Sequence, residues 1–460
     1  MTRAARTAFL LWLAISILVG ISLLWIYLRL GEDGFGVYIQ QPPLINLPVT
    51  LASVALAWLA AGALLVLLWA GRIRRDNLLS IGGFFLITWV YLNILSERFR
   101  YGDYTYYFDA ATKLYAHQHL PGSYFYLPLW ATLIQYLAPL GLDGFFLVLW
   151  LLNFFSLLLF YVLLHRALQH YGFSSQLAAL VTVLFVLANA PLLRTLVYVQ
   201  INLHVLNLIL LSLLLYPRYS FLSALCLALA VHLKTSPAVL ILAFLLEKDW
   251  RWLAWFVLSM FGIAGLTVAT NGITPFLDSL RNVQDLAVSG DTIFHDTSFD
   301  SFLRFVGPIL RLSPKWIQAL IYAAKALLLA GTLAVMVRCV RSRAFFQDDQ
   351  RGRSMLNAVP PLLVVMTLAS PIVWEHHGIF LALSFLLLLK RLDQPSDWLL
   401  FGFAYLLEFL LPTFDFFPWS YGRLLAPLIV LWLMWKTSKS PEPSRIFNKL
   451  SMRMEKSLEI

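Results

Sequence analysis

The feature that most constrains this chain is a run of apolar residues, about 14 to 23 long, repeated many times between short polar interruptions. About 20 apolar residues in a helix, rising 1.5 Å each, cross the roughly 30 Å hydrocarbon core of a bilayer. Backbone groups in lipid must find partners within their own helix or in a closed barrel. The dyad alternation of a membrane barrel is absent. What remains is an all-α polytopic integral membrane protein. Composition agrees: 60% of residues are hydrophobic and only 13% are charged, where a soluble domain carries about a quarter.

The pattern predicts about 12 to 14 transmembrane helices. The spans fall at 7–29, 49–70, 78–96, 143–164, 177–193, 203–216, 220–233, 236–246, 252–270, 316–337, 355–369, 378–390, 398–412 and 421–436. The first run, Ala8 to Leu28, follows Arg3 and Arg6 without a small-residue cleavage site, and is read as a retained span. Cys226 and Cys339 fall in or beside spans, so no disulfide framework is implied. The net charge of +10 is more simply a positive-inside bias than a nucleic-acid footprint. With the N-terminus in the cytoplasm, GRIRR (71–75), RCVRSR (338–343), RGR (351–353), KR (390–391) and the tail 438–460 lie inside. That side holds 22 of the 34 Lys and Arg, the other side 10, and Lys234 and Lys325 fall within spans. The asymmetry sets both termini inside. It leaves two long segments outside, 97–142 and 271–315. Spans 7–29 and 49–70 form an N-terminal extension (1–77) to a core of 78–437.

Several middle spans are too short to cross alone. The pair 220–233 and 236–246, broken at KTSP (234–237), reads as a membrane-buried hairpin. Non-helical backbone at that depth is tolerated only inside protein or beside a watery cavity, so the break is a site signal.

The outer segment YGDYTYYFDAATKLY (101–115) has helical periodicity. Tyr104, Tyr107, Phe108, Ala111 and Tyr115 share one stripe, with Thr105, Asp109, Thr112 and Lys113 opposite. This predicts an amphipathic helix with its tyrosines on the membrane, ended at Pro121-Gly122. Asp109 and Lys113 are i, i+4 partners on the wet face. Asp103, at the N-terminal edge of the stripe, is by pattern either an N-cap or a carboxylate with a chemical task.

The elements D-Y-T-Y-Y-F-D-A-A (103–111) and F-Y-L-P-L (125–129) resemble the first outer loop of the polyprenol-phosphate-mannose-dependent mannosyltransferases of glycosyltransferase family 87. V-Q-I-N (199–202), L-K-T-S-P (233–237) and S-P-I-V-W-E-H-H (370–377) extend the similarity in the family's order. At 199–202 the family often has Gly-Gln-x-Asn, and here Tyr198 and Val199 replace the glycine region. The resemblance implies a GT-C-type enzyme, with 78–437 as its catalytic domain and its active site on the extracytoplasmic face, expected in a bacterial plasma membrane. It implies transfer of a sugar, mannose in the family's pattern, from a polyprenyl-phosphate donor to a hydroxyl of a lipid or glycan acceptor, with inversion. The expected partners are that donor, that acceptor and membrane lipids, without nucleic acid, cofactor or metal. In keeping with a lipid rather than a nucleotide donor, no Asp-x-Asp triplet occurs, and Asp348-Asp349 sits among arginines of the inside set.

Such a reaction needs a base for the acceptor hydroxyl and positive or donor groups around the departing phosphate. By the resemblance, Asp103 is the base. Lys234, an ionisable residue at a helix break, is the first candidate for the phosphate. His376, His377 and Arg194 are candidates to donate to phosphate or sugar; a polar interfacial turn is the alternative for each. Tyr107, Gln200, Asn202 and Glu375 are candidate substrate contacts, with Glu375 as the second choice of base. Adjacent histidines can bind metal, but no third ligand has suitable spacing. Lys325 matches no motif and is expected to snorkel or to pair with a distant acid. The acidic stretch 291–300 is either an acceptor-recognising or a solvated loop. Two other classes fit the topology. A transporter or flippase of lipid-linked sugars would show an internal repeat with paired broken helices, and only one broken pair is evident. A glycan polymerase or ligase would lean on arginines such as Arg281, Arg304 and Arg311.

Overall fold

The computed structural model describes residues 102–289, 296–346, 354–410 and 421–439, with scattered positions between 9 and 70 and between 444 and 448. Secondary structure is 80% helix with no strands among the described residues. The chain divides into two compact units, Met1–Tyr101 and Gly102–Ile460. In the first, the described positions are almost all helical, and Ser16 Oγ donates to Trp12 O at 2.7 Å. These positions belong to the expected spans 7–29 and 49–70; span 78–96 lies outside the described residues.

The second unit opens with α1 (Tyr104–Tyr115). α2 (Leu129–Ile134) continues through a 3-10 stretch, Gln135–Leu140, into α3 (Gly141–His170). α4 (Ser175–Leu187) and α5 (Ala190–Val197) lead to α6 (Asn202–Leu215) and α7 (Ser220–Leu233). A 3-10 turn, Ser236–Leu240, enters α8 (Ile241–Leu246), followed by α9 (Trp250–Asn271) and α10 (Thr274–Ser289). α11 (Phe299–Ile309) and α12 (Pro314–Arg341) precede α13 (Val359–Leu368). The 3-10 turn Glu375–Leu381 then runs into α14 (Ala382–Leu388). Last come α15 (Pro395–Tyr405), a π turn at Leu406–Leu410, and α16 (Gly422–Thr437).

Three described stretches, Leu129–His170, Trp250–Asn271 and Pro314–Arg341, are long and apolar enough to cross a membrane alone. The expected single span 177–193 is instead the bent pair α4 and α5, at 62°. Local chemistry explains the bend. Asn189 accepts from Leu192 N at 2.9 Å, starting a new helix, and Pro191 has no N–H to continue the old one. At 234–237 the expected break is present. Lys234 leaves α7 with φ −153° and ψ 127°, and Pro237 opens the next turn.

The core is α13 and α14, buried along every residue. α6 packs between α3 and α7, and α7 between α6 and α9. Small residues of α7, Ala224, Ala228 and Ala230, are fully buried and let backbones approach. Polar side chains cross-link the same helices. Asn207 Nδ2 donates to Ser156 O at 2.7 Å, and Trp252 Nε1 to Ser223 Oγ at 2.9 Å.

The two long segments expected outside are latched together. Asp278 of α10 accepts from Leu120 N at 3.1 Å and lies 3.0 Å from His119 Nδ1. Asn282 Nδ2 reaches Pro121 O and Tyr124 O at 2.8 and 2.9 Å. They therefore share one side of the bundle. α1 ends at Tyr115, ahead of the expected stop at Pro121-Gly122, and His117 turns the chain with φ 56°. Asp109 and Lys113 pair at 3.5 Å as expected.

One expectation is overturned. The tyrosine stripe packs on protein, not on the membrane. Tyr104 sits 4.7 Å from the Phe146 ring, and Tyr107 is 0% exposed between Tyr126 and Trp130. Tyr115 is exposed, and Ala110 and Leu114 complete the buried face.

Candidate functional site

The site is built on the turn between α5 and α6. α5 ends in a Schellman closure: Gln200 N donates to Thr195 O at 2.9 Å and Val199 N to Leu196 O at 3.2 Å. This closure needs a left-handed residue at its penultimate position, normally glycine. Here Val199 takes φ 54° with its side chain buried. Left-handed geometry costs a residue with a Cβ roughly 1–2 kcal/mol. The closure therefore explains why a glycine is expected at this position. We predict that Val199→Gly melts above Val199→Ala, by about 1 kcal/mol of stability, reversing the usual order of the two substitutions. Thermal unfolding of the two purified variants in detergent measures this.

α1 docks on the same turn. Asp103 N donates to Tyr198 O at 3.1 Å. A Cβ on Gly102 would stand 3.0 Å from the Tyr198 backbone, so a side chain there would push the turn back by a few tenths of an ångström. Asp103 occupies the N-cap position of α1, but its side chain caps no backbone N–H. Its carboxylate instead accepts from Gln200 Nε2. The Gln200 Oε1 faces the Tyr107 hydroxyl at 3.3 Å, and that hydroxyl is 3.4 Å from Tyr126 Oη. Burial pushes the Asp103 carboxyl up to about 6, against the opposing pull of Gln200 and then of Lys234.

Lys234 enters from the KTSP break. Its ammonium donates to Asn202 Oδ1 at 2.8 Å, lies 2.6 Å from His377 Nε2, and stands 5.5 Å over the Phe380 ring. His377 Nδ1 in turn accepts from Trp374 N at 3.3 Å. A neutral imidazole carries one proton. It can therefore accept from only one of the Lys234 ammonium and Trp374 N at a time. Both nitrogens of His377 are engaged within the protein, whereas the His376 ring makes no hydrogen bond among the described residues. The His376 ring lies edge-on to Tyr198, 6.4 Å between centroids, and its carbonyl faces Asn202 Nδ2 at 3.4 Å.

Arg194 and Glu375 form a second cluster behind this one. Glu375 lies 3.5 Å from Arg194 Nε and 3.2 Å from Arg423 Nη2. Arg194 also donates to Tyr198 Oη at 2.8 Å. Glu375 is therefore held between two guanidiniums. Glu408, on the π turn, stands so close to Gly378 that a Cβ there would be 2.2 Å from its carboxylate. Arg423 and Glu408 escaped the reading of the sequence, although each is a charge inside an expected span, the signal that singled out Lys234.

The far end of the second long segment is tied to the Trp374 turn. Asp296 accepts from Val373 N at 2.8 Å and Ser298 N at 2.9 Å, and Thr297 N donates to Val373 O at 2.8 Å. Burial pushes the Asp296 carboxyl up to about 6 against these bonds. Asp300 pairs with Lys325 at 2.5 Å, the distant acid expected for that lysine. Residues 296–300 are thus mostly packed inside rather than solvated, while 291–295 and Asp348-Asp349 lie outside the described residues. Among the described residues no three His, Cys, Asp or Glu are grouped to hold a metal ion.

The geometry thus joins Asp103, Tyr107 and Gln200, and joins Lys234, Asn202 and His377, through one turn. The model of glycosyltransferase family 87 matches residues 124–371. That stretch holds the 125–129, 199–202 and 233–237 elements; Asp103 and His377 lie beyond its ends but touch residues within it. No curated protein matches the chain. The match spans more than half of the 460 residues: the chain belongs to glycosyltransferase family 87 and is a membrane glycosyltransferase.

Proposed function

We propose that the enzyme moves a sugar, mannose by family resemblance, from a polyprenyl-phosphate donor to a hydroxyl of a lipid or glycan acceptor on the extracytoplasmic face of a bacterial plasma membrane. The acceptor oxygen attacks the anomeric carbon as its proton passes to the Asp103 carboxylate. The anomeric C–O bond to phosphate breaks on the opposite face, so configuration inverts. The departing polyprenyl phosphate gains a negative charge, which the Lys234 ammonium and the amide of Asn202 meet. His376, with its unbonded ring, and Arg194 are placed to assist at phosphate or sugar. Tyr107 and Gln200 orient the Asp103 carboxylate rather than reach the substrates first, and Glu375, paired with two arginines, holds its turn in place.

The observation that carries this reading is the convergence of one half-buried carboxylate and one half-buried ammonium on neighbouring residues of a single turn, Gln200 and Asn202. A base and a cation set a short distance apart by two amides suit a reaction that gains a proton at one end and a negative charge at the other.

The pH dependence tests it. The base must be ionised, and burial raises its carboxyl to about 6. Transfer therefore falls about tenfold per pH unit below about 6. Initial rates in membranes supplied with polyprenyl-phosphate-mannose and a lipid extract give the profile. A rate unchanged from pH 7.5 to about 4.5 removes Asp103 as base.

A further inference from the structure

The end of the bundle away from the candidate site carries a cavity of about 360 Å³, lined by Arg218 and Arg251 with Tyr219, Ser220, Phe221 and Trp255. α7 connects the two places. It starts at Ser220 in the cavity and ends at Lys234, about 21 Å away at 1.5 Å per residue over 14 residues. In a protein that spans the bilayer, this cavity lies toward the membrane side opposite the site.

Its chemistry is specific. Both arginines are exposed, and neither makes a side-chain hydrogen bond or ion pair among the described residues. The nearby Asp249 is already used: its carboxylate accepts from Tyr216 Oη at 2.9 Å and from Trp252 N at 3.0 Å. Phe221 and Trp255 meet edge to face at 5.2 Å and form an apolar wall. Tyr219, Phe221 and Trp250 are 55%, 44% and 66% exposed, as aromatic residues of an interfacial belt are. Along α9 from the same end, Val257, Leu258 and Phe261 are exposed as an apolar track.

We propose that this cavity holds an anionic phospholipid from the leaflet opposite the candidate site. The two guanidiniums take the phosphodiester, which matches their planar forks, and the acyl chains lie along α9. Two cations with no free carboxylate beside them favour a lipid of net negative charge over a zwitterionic one. The apolar track favours a lipid over a free phosphate.

The test uses the full-length protein in detergent, titrated with phosphatidylglycerol or phosphatidylcholine, with bound lipid counted by native mass spectrometry. The first phosphatidylglycerol should bind wild type more tightly than phosphatidylcholine. Each surface cation is worth roughly fivefold in affinity for an anionic lipid. The double variant Arg218→Ala, Arg251→Ala should therefore bind phosphatidylglycerol about twenty-five-fold more weakly, with a smaller loss for phosphatidylcholine. Should that variant fold poorly, Arg218→Gln and Arg251→Gln singly should each lose about fivefold. Equal phosphatidylglycerol affinity in variants and wild type overturns the proposal. So does full competition by glycerol phosphate at the concentration of lipid used, which makes the cavity a site for a free anion.

Discussion

Asp103→Asn is expected to lower sugar transfer by about a hundredfold to ten-thousandfold at unchanged protein abundance, the range a positioned general base supplies. The substitution is nearly isosteric. The backbone bond from residue 103 to Tyr198 O stays, and the Gln200 amide can turn to present its oxygen to the new amide. No helix cap is lost, because the Asp103 side chain caps nothing in α1. An aspartate whose task was capping would lose stability on replacement by alanine, by roughly 1 kcal/mol; one whose task is proton transfer loses rate on replacement by asparagine. Radiolabel transfer per mole of folded enzyme separates the two. Equal rates in wild type and variant exclude the base assignment.

Lys234→Met is expected to cut transfer by about a hundredfold to a thousandfold, the loss seen when one preorganised charge is removed from a developing anion. Methionine fills much of the space of the lysine stem and relieves the desolvation of a half-buried ammonium, at the expense of bonds to Asn202 and His377. These opposing terms make the change in stability small beside the change in rate. Lys234→Arg should rescue little, since a planar fork does not fit the single point where Asn202 Oδ1 and His377 Nε2 converge. The loss should appear in kcat with donor saturating, measured by transfer kinetics in membranes. A variant that merely expresses poorly, with normal turnover per folded molecule, would show that Lys234 is a packing residue.

Much of the architecture is legible in the sequence because the bilayer imposes simple rules. Span 252–270 falls within α9 (Trp250–Asn271), and 220–233 coincides with α7, because apolar length and Pro or polar interruptions mark the ends. The Asp109–Lys113 pair follows from helical spacing alone. Periodicity says that a helix has an apolar face and is silent on what covers it. That is why the tyrosine face of α1, expected on lipid, lies against Tyr126, Trp130 and Phe146. The bend at Asn189 was readable from Asn-Ala-Pro but was masked by the apolar residues on either side.

The site was legible as a set of residues and not as a set of pairs. Asp103 meets Gln200 across 97 positions and Lys234 meets His377 across 143, and no local pattern encodes such separations. Arg423 escaped the sequence because charge counting assigns a side of the membrane, not a partner. Its partner Glu375 was read as a substrate contact and second-choice base because an acid in a polar turn looks available until its arginines are in view.

The central claim is a sugar donor carried on polyprenyl phosphate, and one measurement addresses it directly. Purified full-length protein in lipid nanodiscs is given polyprenyl-phosphate-mannose labelled in the sugar, with a lipid extract as acceptor and no nucleotide sugar. Label is expected to move to the acceptor with the new bond inverted relative to the donor, and Asp103→Asn is expected to cut that transfer by at least about a hundredfold. Label that stays on the donor, or that arrives with retained configuration, contradicts this assignment.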